Sequence, residues 1–212
     1  MRGYVVAGIG TEIGKTVVSA ILCRALKATY WKPVQAGELD WTDRMKVQHW
    51  TGLPEEHFAA EAYALTTPMS PHGAAPIDGV IIKKDKLFLP DSERPLLVEL
   101  AGGIMVPLNE HHLNIDLLKT WQLPVILVSR YYLGNINHSL LTAAVLKEAG
   151  VPVQGWILNG STVPTTKEAI LRHSQLPLLA EIPESSSVDR KFVQVQAERL
   201  GPSLRASLGL VE

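Results

Sequence analysis

The sequence predicts a three-layer α/β fold: an open, mostly parallel central sheet flanked by helices. Three observations support this. Short apolar runs recur without alternation, as strands covered on both faces require. Helical patterns separate most of these runs, which implies βαβ units. The first run leads through a glycine-bearing loop straight into a helix, "YVVAGIGTEIGKTVVSAIL".

In order, "YVVAG" at 4–8 reads as a buried strand and 14–28 as an apolar helix. "TYWKPV" at 29–34 is a short strand following that helix with almost no loop. Segment 35–92 is the least regular, centred on the loop-rich "TTPMSPHGAAP" at 66–76. In an open α/β sheet such insertions overhang the carboxyl ends of the strands, where ligands bind. Strands then follow at 95–103 ("PLLVELAGG") and 124–129 ("PVILVS"), with weaker ones at 152–160 and 177–183. Helices are expected near 113–121, 137–149, 165–173 and 189–207. There are no internal repeats and no low-complexity linker, so one domain over 1–212 is the simplest account.

The 212 residues carry a net charge of -1, with 46% hydrophobic and 19% charged residues, a soluble globular balance. It suggests no nucleic-acid or membrane-surface partner. Cys23 is the only cysteine, which excludes an intramolecular disulfide and a multi-cysteine metal site and fits a reducing compartment. It lies in an apolar helical run and reads as core. The apolar start "YVVAG" is too short for a signal peptide or membrane span, so a cytoplasmic protein is expected.

A phosphate needs inward-pointing backbone N–H groups, a helix N-terminus and a mobile positive charge. A hydroxyl one residue past the lysine can complete the shell of a Mg²⁺ ion. Residues 4–16 offer all of these in order, ending on Gly14-Lys15-Thr16. The usual phosphate loop has four residues between its first glycine and Gly-Lys-[Ser/Thr]. Here five, Ile9 to Ile13, separate Gly8 from Gly14. The alternative is an ordinary strand-to-helix turn whose glycines only allow tight packing. The flanking strand and helix favour nucleotide binding and a P-loop NTPase-like fold.

The chain as a whole resembles the dethiobiotin synthetase family, ATP-dependent enzymes that close the ureido ring in biotin biosynthesis. The loop is similar to the family's "GxxTEIGKT". "YWKPVQAG" at 30–37, "TPMSPH" at 67–72, "VELAGGIMVPL" at 98–108, "LPVILVSRYYLGNINHSLLTA" at 123–143, "GWILNG" at 155–160 and "PLLAEIP" at 177–183 follow in family order. The resemblance implies that CO₂ and an amine of 7,8-diaminononanoate form a carbamate. Its oxygen attacks the γ-phosphate of ATP, and the second amine closes the mixed anhydride. Such chemistry asks mainly for positive charge between two anions.

By that resemblance Lys15 holds the β/γ-phosphates, and Lys32 neutralises the carbamate and the moving phosphoryl group. Thr11 contacts substrate or γ-phosphate, and Glu12, Ile13, Gly14, Thr16 and Val17 line the nucleotide. Thr16, Glu99 and Asp43 are the expected Mg²⁺ ligands, with Asp40 a rival and a helix cap the bland reading of either aspartate. A charge at Glu99, closing an apolar strand, requires a partner. "LAGG" at 100–103 supplies flexible backbone, with Gly102 beside the phosphates. Asn159, Gly160 and Pro183 are expected on the base side and Ala36 on the substrate. Tyr131, Leu133, Gly134, Asn135 and Asn137 are expected to reach the substrate carboxylate across a homodimer interface. Asn135 or Asn137 as a helix N-cap is the alternative, and His138 reads as structural.

Several positions depart from the family pattern. Ala36 stands where Ser or Thr is common, and Leu100 replaces a glycine and is expected to narrow the phosphate region. Gly160 offers only backbone, and Gly10 lacks a side chain that relatives often have. The chain before Lys32 is short, and "ESSSV" after Pro183 offers no apolar base contact. A partitioning-type ATPase switch is the nearest rival, but residues 8–13 contain no early lysine. A GTPase is disfavoured without Asn-Lys-x-Asp. A non-catalytic nucleotide-binding homologue is the third reading.

Overall fold

A computed structural model describes residues 2–210. The first half of the chain builds β1 (Gly3–Gly8), α1 (Lys15–Leu26), β2 (Thr29–Trp31), β3 (Val34–Ala36), α2 (Asp43–Thr51), β4 (Phe58–Ala59), β5 (Tyr63–Leu65) and α3 (Pro71–Ile77). The second half builds β6 (Leu96–Gly103), α4 (Asn114–Trp121), β7 (Val125–Arg130), α5 (Asn135–Glu148), β8 (Val153–Asn159), α6 (Pro164–Ser174), β9 (Leu178–Ile182) and α7 (Arg190–Ser207). Seven strands form one sheet in the order β4-β2-β6-β1-β7-β8-β9, every neighbouring pair parallel.

The strand alternation sorts the core into two faces. Tyr4, Val6, Tyr30, Leu97, Ile126 and Ile157 point to one side, where α1 and α7 cover them with Ile21, Leu22, Val193, Leu200 and Leu204. Val5, Ala7, Trp31, Val98, Val125 and Trp156 point to the other, beneath Ile115, Leu118, Leu146 and Ile170 of α4, α5 and α6. Burial on both faces is why these strands read as continuous apolar runs. Cys23 lies within the first cluster, its thiol pushed up to about 12 by burial, as expected of a structural cysteine.

The expected strand at 29–34 is two strands in two sheets. Pro33 lacks an N–H for the ladder and separates β2 from β3. β3 pairs with β5 in a second, two-stranded parallel sheet. Segment 35–92, expected to be irregular, also contains α2, α3 and β4. Val34, Leu65, Ala74, Ala75, Ile82, Leu87, Leu108 and Leu117 give it a small core of its own. Its elements are too short to announce themselves by periodicity. Helix α5 starts two residues before the expected 137, and its N-cap is Gly134 (φ 103°), not an asparagine.

Residues 100–103 are not a flexible run but the continuation of β6, with Gly8 opposite Gly103. Leu100 is buried in the second core cluster, away from the phosphate region it was expected to narrow. No described helix is long and apolar enough to cross a membrane.

The loop after β5 is tied down by Asp78. Its carboxylate accepts bonds from the Thr66 amide, from the Thr66 hydroxyl at 2.7 Å and from the Thr67 hydroxyl at 3.2 Å. The Thr66 bonds chiefly hold its pKa below the usual carboxylate range. A depressed native pKa stabilises above the unfolded value, and that stabilisation is lost as pH falls through the native one. The excess amide exchange of D78A over wild type at residues 66–69 is therefore expected to be large at pH 7 and to vanish in acid. Equal exchange of the two proteins at pH 7 would refute this.

Candidate active site

The strand ends of the large sheet converge on one crevice. The loop after β1 carries Thr11 to Gly14, Lys32 follows β2, Glu99 lies within β6, and Asn159 ends β8. A cavity of about 770 Å³ opens over them, lined among others by Thr11, Lys15, Thr16, Lys32, Ala36, Asp43, Glu99 and Gly102. With Glu12, Gly14 and Val17, eleven residues expected at the site thus share one space.

At its floor is a buried ion cluster. Glu99 is fully buried, and its Oε1 accepts from Thr16 Oγ1 at 3.0 Å and from Lys32 Nζ at 3.1 Å. Lys32 also donates to Asp43, and is 5% exposed rather than a surface lysine. Burial opposes the charge on Lys32, but Glu99 and Asp43 outweigh it and raise its pKa. For Asp43, burial is likewise outweighed by Lys32, with Lys46 and Thr16 assisting, and its pKa is lowered. Both ends of the pair are therefore charged. Lys15 differs: burial pulls its pKa down to about 8 against the pull of Glu99, and its Nζ donates to the Gly10 carbonyl at 2.8 Å. Among the described residues this ammonium forms no ion pair within 4.0 Å.

Asp43 and Asp40 are separated by placement. Asp43 is the first residue of α2 and faces the cavity, while Asp40 is exposed on a 3₁₀ turn outside it. The cap of α2 is Thr42, which accepts from the Met45 amide at 3.2 Å, so Asp43 is not needed as a cap. Gln35, unnoticed in the sequence, is buried beside it. Its Oε1 accepts the Asp43 N–H at 3.2 Å and its Nε2 donates to the Gly37 carbonyl at 3.0 Å. Tyr30 was also missed as a site residue; its hydroxyl donates to Glu99 Oε2 at 3.0 Å, and burial, then Glu99, raises its pKa.

The loop geometry explains its glycines unevenly. A Cβ on Gly8 would lie 2.7 Å from Ile13 Cδ1. Gly14 has φ 89° and a Cβ there would lie 2.2 Å from Asn159 Nδ2. Gly102 has φ 70°, with Val106 2.9 Å from its would-be Cβ. Nothing in the structure explains Gly10, whose would-be Cβ meets no atom within 4 Å. Glu12 is exposed and left-handed at φ 57°, a conformation costly for a residue with a side chain. Ile13 turns its side chain into the core, and its carbonyl accepts from Asn159 Nδ2.

A second cavity of about 190 Å³ shares Glu12, Gly14 and Val17 with the first and extends to Asn159, Gly160 and Pro183. The missing apolar contacts after Pro183 are here: Val188 and Phe192 line it. Asp189 caps α7, accepting from the Phe192 amide at 2.7 Å, and Val188 and Val193 flank the cap as a staple. That capping pattern, "VDRKFV", was the available sequence signal.

Tyr131, Leu133, Gly134, Asn135 and Asn137 line neither cavity. Tyr131 donates to Glu181 at 2.9 Å, and the buried Asn135 donates to the Arg130 carbonyl at 2.9 Å. Leu133, Gly134 and Asn137 face outward. His138 shares a hydrogen bond at Nδ1 with the Tyr132 hydroxyl at 2.7 Å.

Residues 2–191 match a family model described as an AAA domain. An ATP-dependent dethiobiotin synthetase BioD of Christiangramia forsetii is 46% identical over 198 residues, covering 93% of this chain and 95% of the relative. One from Rhodopseudomonas palustris BisB5 is 48% identical, over 84% and 87% of the two chains. Among solved structures, a ParA family ATPase of Chlorobium tepidum aligns with TM-score 0.57 at 12% identity, covering 98% of this chain and 96% of its own. The cell division ATPase MinD of Pyrococcus furiosus aligns with TM-score 0.56 at 17% identity, over 99% and 96%. At such identities these two show the shared fold alone.

The contact between Gly14 and Asn159 gives a direct test of the loop. G14A forces both a left-handed alanine and an overlap, and should lower stability by roughly 1–3 kcal/mol. Nucleotide affinity should fall at least tenfold by calorimetry. Adding N159A removes the overlap but leaves the left-handed alanine, so G14A/N159A should recover part of the stability loss. Wild-type affinity in G14A would show that the loop geometry is not needed.

Proposed function

Because the chain belongs to the dethiobiotin synthetase family, we propose how its own residues carry out ATP-dependent closure of the ureido ring in biotin biosynthesis. The observation that supports the reading most is the meeting of Lys15, Lys32, Thr16, Asp43 and Glu99 on one cavity. An anionic nucleophile cannot approach an anionic phosphate without such charge.

The substrates are 7,8-diaminononanoate and CO₂. One amine attacks CO₂, losing a proton, to give a carbamate. A carbamate oxygen attacks the γ-phosphorus of ATP, and the bond to the ADP oxygen breaks. The second amine then attacks the carbamoyl carbon of the mixed anhydride, and inorganic phosphate leaves as the ring closes. Lys15 holds the β/γ-phosphates from the start of α1, where backbone amides add to its charge. Lys32, charged and held in place by its two carboxylates, neutralises the carbamate and then the moving phosphoryl group. Thr11, beside them in the cavity, hydrogen-bonds the reacting groups. Ala36 lines the substrate side without a side-chain bond.

The oxygens of Thr16, Asp43 and Glu99 suit Mg²⁺. The ion is hard, favours one or two carboxylates plus phosphates, and keeps several waters. When bound, Mg²⁺ supplies charge neutralisation at the phosphates. The nucleoside lies in the second cavity, between Pro183, Val188 and Phe192, with Asn159 and Gly160 at its wall.

The loop 130–138 serves a second copy of the chain. Leu133 is fully exposed and Leu141, one face along, is 57% exposed, so this end of α5 presents apolar surface to solvent. A homodimer covers it and brings Leu133, Gly134 and Asn137 to the partner's substrate carboxylate, on a loop that Tyr131 and Asn135 hold through Glu181 and the Arg130 carbonyl.

Incubation with ATP, Mg²⁺, 7,8-diaminononanoate and labelled bicarbonate should place label in a cyclic urea; none at any pH from 7 to 8.5 would overturn the reading. K32Q should lose ring closure while retaining nucleotide binding. It also strands the buried Glu99 carboxylate, so its melting temperature should drop, and binding is to be measured below that temperature. Sedimentation at micromolar concentration should give a dimer that L133D splits, with a rise in KM for the diamine. A monomeric wild type with full activity would remove the cross-subunit role.

A further inference from the structure

We propose that Tyr30 is a positioning residue that fixes the aim of Glu99, so that Oε1 alone faces the metal and phosphate side of the cavity. This rests on the reading of Glu99 as a Mg²⁺ ligand. Tyr30 touches neither cavity. It acts through the carboxylate.

The sheet register makes this possible. Tyr30 of β2 stands opposite Leu97 of β6, and Glu99 is two residues further along the same face. A diagonal neighbour of this kind lies about 7–8 Å away, within reach of an aromatic side chain. The phenol spans that gap and donates to Glu99 Oε2 at 3.0 Å. Lys32, two residues after Tyr30, reaches the other oxygen at 3.1 Å from the same side. Thr16 meets that same Oε1 at 3.0 Å. The carboxylate is thus divided, one oxygen held by the core and the other turned to the site.

The ring itself is locked. Tyr30 is 0% exposed, pairs in register with Phe58 of β4, and has that ring 6.4 Å from its own. A phenylalanine would fill the same space but leave Oε2 without its donor. An unpartnered, fully buried oxygen favours rotation of the carboxylate toward Lys32 and Thr16, which would withdraw Oε1 from a metal. Groups that hold metal ligands from behind typically change metal affinity by about 10–100-fold when removed.

The test is Mn²⁺ binding to the full-length protein with ADP, followed by electron paramagnetic resonance, alongside the Mg²⁺ concentration giving half-maximal ring closure. Y30F should weaken Mn²⁺ binding about tenfold or more and shift the Mg²⁺ midpoint equally, with ADP affinity in the absence of metal unchanged. 4-Aminophenylalanine at position 30, which restores an N–H donor, should return both to within about twofold of wild type. F58L loosens the same packing without touching the bond and should leave the metal midpoint alone. Metal binding unchanged in Y30F, or shifted as much by F58L, would overturn the proposal. If E99Q leaves Mn²⁺ binding unaltered, it is the metal-ligand reading itself that fails.

Discussion

The constraint around which the site is organised is a carboxylate buried inside the sheet. Glu99 is 0% exposed on β6, between β1 and β2. A bare carboxylate in that position would cost several kcal/mol, so its surroundings must supply donors. They come from two segments: the helix start at Thr16, and β2 with the residue just past it, at Tyr30 and Lys32. Lys32 in turn needs more than one anion, and Asp43 at the head of α2 provides it. Side chains from β6, β2, α1 and α2 thus meet in one charge network at the cavity.

The same arrangement separates two kinds of lysine. Lys32 is fixed between two carboxylates, which outweigh its burial and raise its pKa. Among the described residues Lys15 Nζ donates to a backbone carbonyl alone, and its burial lowers its pKa to about 8. An incoming phosphate relieves that cost by restoring a counter-charge. The lysine of the glycine loop gains its counter-charge from a ligand, whereas the lysine after β2 is already aimed by the protein's own carboxylates.

Parallel strands also explain why one scaffold gathers residues from so many segments. Each strand end delivers one short loop to the same edge of the sheet, and the crevice forms where neighbouring loops diverge. The distant likeness to ParA and MinD ATPases is a likeness of this scaffold.

Local patterns were enough for the sheet, its flanking helices, the loop from Gly8 to Thr16, and Lys32 as more than a surface residue. Apolar runs and a strand–glycine–helix junction are contiguous, and their physics acts within a few residues. Tertiary structure alone placed Asp43 in the cavity and Asp40 outside it, because the two lie three residues apart and share one chemistry. It alone revealed the roles of Tyr30 and Gln35, which read as ordinary strand residues until their hydroxyl and amide meet Glu99 and Asp43. Val188 and Phe192 return to the glycine loop only through the packing of α7 on α1. Leu100 shows the limit most simply. Its identity suggested an obstruction, but strand alternation turned it into the opposite core. Sequence spacing determines which face a residue takes within its own element, whereas a partner from another element is decided only when the sheet assembles.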